Sequence, residues 1–510
     1  MTVQPDRIRS VAVVGGGTAG WIAASVLARA MAGTDLAITV IESAEIGVIG
    51  VGEATIPPIL DLLRFLGIDE ADFVRSVGAT YKLGIKFFDW RRAGEAYWHP
   101  FGAFGAPIAR RPFFHAWQKA RAENLAPQFN DFSLCAAMGD ELKFRFPETR
   151  AAGTAAGIRY ALHFDAQKVA RYLRAYAERQ GVARLERTIS GATRRPDGFI
   201  DEVVFQDGGR LRADLYVDCS GFRGVLIEQT LETGYIHWGH WLPCDRAVAA
   251  PSEMSSPRTP YTGAHARPGG WRWRIPLQER AGNGYVYSSQ AIGDDDAFED
   301  LRVEVGETFA GPPRFLKFVT GRRRLLWNAN CVALGLASGF IEPLESTNIQ
   351  LAINGVYNLL DHFPDRNFDP ANIAAYNEEL IGEVEHVRDF IILHYCLTER
   401  DDSELWRACR AMSLPDSLQA RIDLYRATGR IRPRARDLFT DLSWFYILDG
   451  MGVRPAAYDP LIDVVPRDRL AGILAELARD HAAALTGARS HDSYFRHPIG
   501  RPAPPVLASR

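Results

Sequence analysis

The stretch "SVAVVGGGTAGWIAASVLARAMAG" runs from an apolar strand through a glycine turn into a helix, with Gly15, Gly17 and Gly20 spaced as G-x-G-x-x-G. Glycines at these places let the chain turn tightly and bring a pyrophosphate against the first amides of the helix, at Thr18 and Ala19. A second strand, "LAITVIES", carries Glu42 22 residues after Gly20, where a carboxylate can accept hydrogen bonds from a ribose. The strand, turn, helix, strand and acid together predict an α/β dinucleotide-binding start. A glycine turn without a ligand would leave the acid and its spacing to coincidence. No second G-x-G-x-x-G follows, so a separate nicotinamide domain is not expected.

The 510 residues suffice for two or three domains around a substantial core. Basic and acidic residues, 59 and 62 in number, are mixed along the chain, which argues against a nucleic-acid-binding face. The six cysteines show no CxxC or zinc-like spacing, so no metal site is expected and a reducing, cytoplasmic setting fits. The opening "MTVQPDRIRSVAVVGGG" leaves no room for a signal peptide, and no apolar run approaches membrane-spanning length, so no membrane partner is expected.

Farther along, "HFDAQKVARYLRAYAERQG" predicts a helix with Asp165 as its N-cap and Gly181 as its stop. The turns at Asp197-Gly198 and Asp207-Gly208 predict hairpin strands leading to a closing strand in "LYVDCSG". "NANCVALG" reads as another buried strand and "NIQLAINGVYNLLDHF" as a helix, for which Ser346 or Thr347 is a natural cap. From about residue 370 onward the pattern is mostly helical, and the Pro-rich end is expected to be mobile. The expected division is a core over 1–365, a helical region over 366–498 and a tail over 499–510.

"WRWRIP", at 271–276, sets Trp271 and Trp273 on one face of a short strand. Alone it reads as core packing. With "GGGTAGW" at 15–21, "GVGEATIP" at 50–57, "KLGIKF" at 82–87 and "FIEPLEST" at 340–347, however, it resembles the flavin-dependent halogenases of the tryptophan halogenase type. "HYCLTERDDSELWRA" and "WFYILDGMG" extend the likeness. The resemblance implies an α/β (mixed α+β) FAD-binding monooxygenase fold, of the glutathione-reductase (GR2) and p-hydroxybenzoate-hydroxylase (PHBH-like) type, with an added helical C-terminal region. It also implies that reduced FAD from a separate NAD(P)H flavin reductase, with O2 and chloride or bromide, yields hypohalous acid inside the protein. "LYVDCSG" and "CVALGLASGF" resemble flavin-contacting segments, which favours FAD over NAD.

The residues implied by this likeness follow motif by motif. Gly15, Gly17, Thr18, Ala19, Gly20, Glu42, Ala54, Leu336 and Ile349 would contact the cofactor. Lys82 matches the lysine that holds the electrophilic halogen, as ammonium or haloamine, and Lys86 four residues on could share its face. Glu345 matches the glutamate that accepts the ring proton, while Ser346 links the flavin and substrate sites. Thr347 and Asn348 match the halide-binding pair, with asparagine where the family usually has glycine, and bromination is expected to be the stronger activity because bromide is easier to oxidise than chloride. His99 and Phe101 would sandwich the indole, and Trp271 and Trp273 would wall it off from direct oxygenation by the flavin.

The groups that grip free tryptophan in this family are not recognisable in "LYRATGRIRPRARDLFTDLSWFYILDG". The expectation is an indole-type substrate in an altered or open pocket, in a monomer or homodimer. Competing expectations are a flavin-dependent aromatic hydroxylase and a non-catalytic flavin-binding regulator.

Overall fold

A computed structural model describes residues 6–43, 52–125, 128–148, 157–254, 257–306, 309–432 and 437–496. Gly50 and Val51 of "GVGEATIP" and the Pro-rich tail lie outside the described residues.

Strand β1 (Ser10–Val14), helix α1 (Thr18–Ala30) and strand β2 (Ala37–Glu42) form the expected start. The apolar run of β1 has partners on both sides, with β2 and Leu215–Asp218 each pairing with it in parallel. Ala183–Glu186, Cys331–Ala333 and the antiparallel Trp327–Asn328 complete a six-stranded sheet. The glycine turn therefore sits at the carboxyl ends of strands drawn from distant parts of the chain, where open α/β sheets bind ligands. The helix Ala166–Arg179 starts as predicted, the Asp165 carboxylate accepting from the amides of Gln167 and Lys168. The two Asp-Gly turns deliver an antiparallel sheet of Ile189–Arg194, Ile200–Phe205 and Arg210–Leu211.

The strands β3 (Gly52–Ala54) and β4 (Thr80–Lys82) flank Ala161–Asp165 in a small antiparallel sheet. After Leu83 the chain changes sheets. Strands β5 (Gly84–Phe88) and β6 (Ala96–Pro100) end a seven-stranded sheet that also holds Thr262–Arg267, Gly270–Pro276, Arg280–Tyr287, Arg246–Glu253 and Arg314–Lys317. Gly282 lies across from Gly52 with no room for a Cβ, and this bare contact seats β3 on the larger sheet.

Beyond residue 370 the described chain is mainly helical, beginning with the long helix Pro370–Cys396. Val387, Phe390, Ile391 and Tyr395 on that helix join the same apolar core as Ile85 and Phe87 of β5. Among the described residues no helix is long and apolar enough to cross a membrane.

Candidate active site

A cavity of about 720 Å³ begins at the glycine turn and reaches Trp273, Ser346 and Asn348. Gly15, Gly17, Thr18, Ala19, Glu42, Ala54, Leu336 and Ile349 line it, so the expected cofactor residues share one wall system, and Gly20 stands one residue beyond Ala19 in α1. Its size suits a cofactor, since such pockets measure roughly 300–1,000 Å³. The fit to a dinucleotide rests on the turn itself. A Cβ at Gly16 would collide with the Glu42 carboxylate and one at Gly15 with the Cys219 carbonyl, while Gly17 faces open space. No side chain caps α1 and no acid stands in its first turn, which leaves its amides to an anion. Glu42 accepts from the Trp21 indole at 3.3 Å and from Arg184, and Arg184 and Arg187 also face the cavity.

Behind Ser346, which lines the cavity, stands Lys82, the last residue of β4. Its ammonium is fully buried and donates to the Ser346 hydroxyl and the Thr55 carbonyl, each at 2.9 Å. Phe101 presents its ring 5.3 Å from the same nitrogen. Burial lowers the Lys82 amine to about 7 against an upward pull from Glu345, so both protonation states are populated at neutral pH. Lys86 does not share this face. The change of sheets at Leu83 turns it outward to an ion pair with Asp140 at 2.7 Å.

Glu345 lies in the tight turn Pro343–Glu345 and is wholly buried. One carboxylate oxygen accepts from His99 Nδ1 at 2.8 Å and the other from His394 Nε2 at 2.9 Å. Burial alone would raise this acid, but the two imidazoles hold it down to about 2, which keeps it ionised. Ser346 then takes a left-handed backbone (φ 59°) and turns the chain into the helix Asn348–Asp361. Such a conformation costs a non-glycine residue on the order of 1–3 kcal/mol and persists where surrounding contacts fix it.

The expected side-chain cap is absent. Thr347 occupies the cap position with near-helical dihedrals (φ −91°, ψ −19°), and its buried hydroxyl has no hydrogen-bond partner among the described residues. The Ser346 hydroxyl is drawn instead to Lys82. A capping side chain would have consumed a first-turn amide; here the helix start beside the cavity keeps its amides for an anion.

Trp271 and Trp273 stand side by side on Gly270–Pro276 with ring centroids 6.1 Å apart. Trp271 donates its indole N–H to Glu342 at 2.8 Å, whereas Trp273 lines the cavity with its N–H unpaired. Gly284, opposite Trp273 in register, provides the space for that indole, because a Cβ there would fall within the ring. The ring of His99 is met by Phe390, Phe439 and Tyr446 at 5.5–6.0 Å.

Several of these neighbours were not singled out from sequence: Thr55, Glu342, His394, Phe390, Phe439 and Tyr446. Glu342 and Thr55 lie inside quoted motifs, and a histidine in the apolar run "FIILHYC" is itself a sign of a buried polar partner.

A family model described as tryptophan halogenase matches residues 10–467. Tryptophan 7-halogenase RebH of Lentzea aerocolonigenes is 34% identical over 497 residues, covering 90% of this chain and 93% of that protein. Two solved structures superpose with TM-scores of 0.93 at 41% identity. BrvH, a flavin-dependent halogenase from Brevundimonas sp. BAL3, covers 96% of this chain and 99% of its own. A flavin-dependent halogenase from Xanthomonas campestris covers 98% and 100%.

Proposed function

Because the chain belongs to the tryptophan halogenase family of flavin-dependent enzymes, we propose that it halogenates an indole-type aromatic, with bromide favoured over chloride. The observation that carries this reading is a buried lysine, Lys82, bonded to Ser346 where that residue lines a dinucleotide-sized cavity, with the buried Glu345 one residue before it. In an aromatic hydroxylase a lysine and an ionised glutamate in that position have no necessary role.

In this reading Gly15, Gly17, Thr18, Ala19, Gly20, Glu42, Ala54, Leu336 and Ile349 hold FAD, reduced beforehand by a separate flavin reductase. The chemistry that FAD supplies when bound is the oxidation of halide by O2 to hypohalous acid. The amides at Thr347 and Asn348 hold the halide at the start of their helix. Lys82 has two of its three N–H groups committed to Thr55 and Ser346, so as an ammonium it keeps one to hold hypohalous acid. An electron pair of the aromatic ring then forms the carbon–halogen bond as the oxygen–halogen bond breaks, the hydroxide takes a proton from the Lys82 ammonium and leaves as water, and Glu345 stabilises the ring cation. When the C–H bond breaks, its electron pair returns to the ring and its proton passes to a free lone pair of Glu345, a contribution of roughly 10²- to 10⁴-fold. His99 and Phe101 flank the ring and Trp273 closes the flavin side. The bromide preference is supported by chemistry, since bromide is easier to oxidise than chloride, and Asn348 stands where the resemblance to the family implies glycine, so the halide site departs from the usual one. A cytoplasmic setting is supported by six cysteines that are all unpaired.

The test is mass spectrometry of indole incubated with the protein, FAD, NADH, a flavin reductase, catalase and either halide. A halogen isotope pattern that disappears in Lys82→Ala supports the reading. An oxygenated indole would assign the hydroxylase instead.

A further inference from the structure

We infer that His394 is a positioning residue for the general base, holding Glu345 by one oxygen and held in its own tautomer by Tyr97. The inference rests on the function proposed above and concerns a residue outside the halide, flavin and ring-flanking sets.

With Glu345 ionised and His394 neutral, the distances set the direction of the hydrogen bonds that run from Tyr97 through His394 to Glu345. An ionised carboxylate only accepts, so the ring nitrogen that faces it must carry the proton. His394 therefore donates from Nε2 to Glu345 at 2.9 Å, and its Nδ1 is left as an acceptor. The Tyr97 hydroxyl lies 2.8 Å from that Nδ1 and donates to it. Burial independently keeps His394 neutral, lowering its basicity against the upward pull of Glu345. The ring is fully buried, stacked on Phe87 at 4.6 Å and edged by Trp90 and Phe390 at 5.8 and 5.7 Å. It is not among the residues lining the cofactor cavity and acts only through the carboxylate.

Two donors on opposite oxygens do what one cannot. A single hydrogen bond leaves the carboxylate free to rotate about its last bond, whereas His99 and His394 together fix its plane. The remaining lone pairs then point in set directions, toward which the ring proton must leave. The neighbouring Tyr395 repeats the device, donating at 2.6 Å to Glu342, so consecutive residues of the long helix grip both glutamates of "EPLE". The groups facing Glu345 are Lys82 from β4, His99 and Tyr97 from β6, and His394 from the long helix.

The experiment compares His394→Leu, His394→Gln and Tyr97→Phe as complete chains with FAD, reductase and halide. FAD binding, followed by its fluorescence, establishes that each is folded. In separate saturation curves on indole and on ring-deuterated indole, His394→Leu should lose about 10²-fold in halogenating kcat with KM little changed. An isotope effect absent from the parent should appear, because proton removal becomes slow, and the acid limb of its pH profile should move upward. His394→Gln, whose amide can reach the same oxygen, should recover most of the loss, with Tyr97→Phe in between. Leu and Gln variants equally impaired, or a Leu variant matching the parent without an isotope effect, would overturn the inference.

If the parent itself leaves indole unhalogenated, the substrate reading fails and His394 is judged by ¹⁵N NMR of histidine-labelled protein. An Nε2–H tautomer that Tyr97→Phe perturbs upholds the arrangement. An Nδ1–H tautomer overturns it.

Discussion

Replacing Lys82 by methionine should abolish halogenation and also change how stability responds to pH. Burial brings the Lys82 amine to about 7 in the folded chain. In the unfolded chain it titrates near its ordinary value of about 10.4. Below the lower value both states carry the proton, and above the upper value neither does, so neither region contributes a slope. Between them the unfolded chain binds a proton that the folded chain has released, and the unfolding free energy rises with pH. From a pH of about 7, where the folded amine is half titrated, to about 9, the gain sums to about 2 kcal/mol at 1.36 kcal/mol per unit. Methionine spans a similar length without a charge and lacks this gain. The variant also strands the Thr55 carbonyl and the Ser346 hydroxyl, but that loss does not vary with pH and drops out of the comparison. The assay is urea unfolding of both flavin-free proteins across this range. The wild type should gain about 2 kcal/mol on the variant over the window. Parallel curves would refute burial as the cause of the shift, and with it the mixed protonation of Lys82 at neutral pH.

Glu345→Gln should lose about 10²- to 10⁴-fold in indole halogenation while halide oxidation, read with a diketone trap, continues. Equal loss of both activities would make Glu345 part of the scaffold. Gly284→Ala puts a methyl where the Trp273 indole lies and should cost about 1–3 kcal/mol in chemical denaturation. No loss would show that Trp273 has room elsewhere. Asn348→Gly restores the family's usual residue at the helix start and should raise the chloride share several-fold in a bromide–chloride competition. An unchanged share would disconnect Asn348 from halide choice.

What could be read from sequence was what depends on near neighbours. The glycine turn, the Asp165 cap and the Asp-Gly hairpins are each specified within a few residues, and each formed where expected. Lys82 and Ser346 were recognisable one at a time through their motifs, but their contact joins positions 264 apart, which no local pattern encodes. The Ser/Thr cap failed for a related reason. A buried ammonium competed for the serine hydroxyl and won, leaving Thr347 uncapping. Lys86 was misjudged because strand periodicity assumes one strand, and the chain leaves its sheet at Leu83. His394 carried a sign of its own, a polar ring in an apolar run, but only the fold tells which acid it meets.

The provenance of the cofactor cavity and of the rings packed on His99 has a consequence for descent. Apart from Leu380 and Val384, the residues around the cofactor cavity come from the first 352 positions. The rings around His99, namely Phe390, Phe439 and Tyr446, come from the helical region beyond residue 370. On the proposed function, mutations that accumulate in the later segment would retarget a lineage to new aromatic molecules while the residues around the cofactor cavity stay unchanged. The turn over residues 342–348 gives Ser346 and Asn348 to the cavity wall and Glu345 to His99, so it is the stretch where drift would be tolerated least.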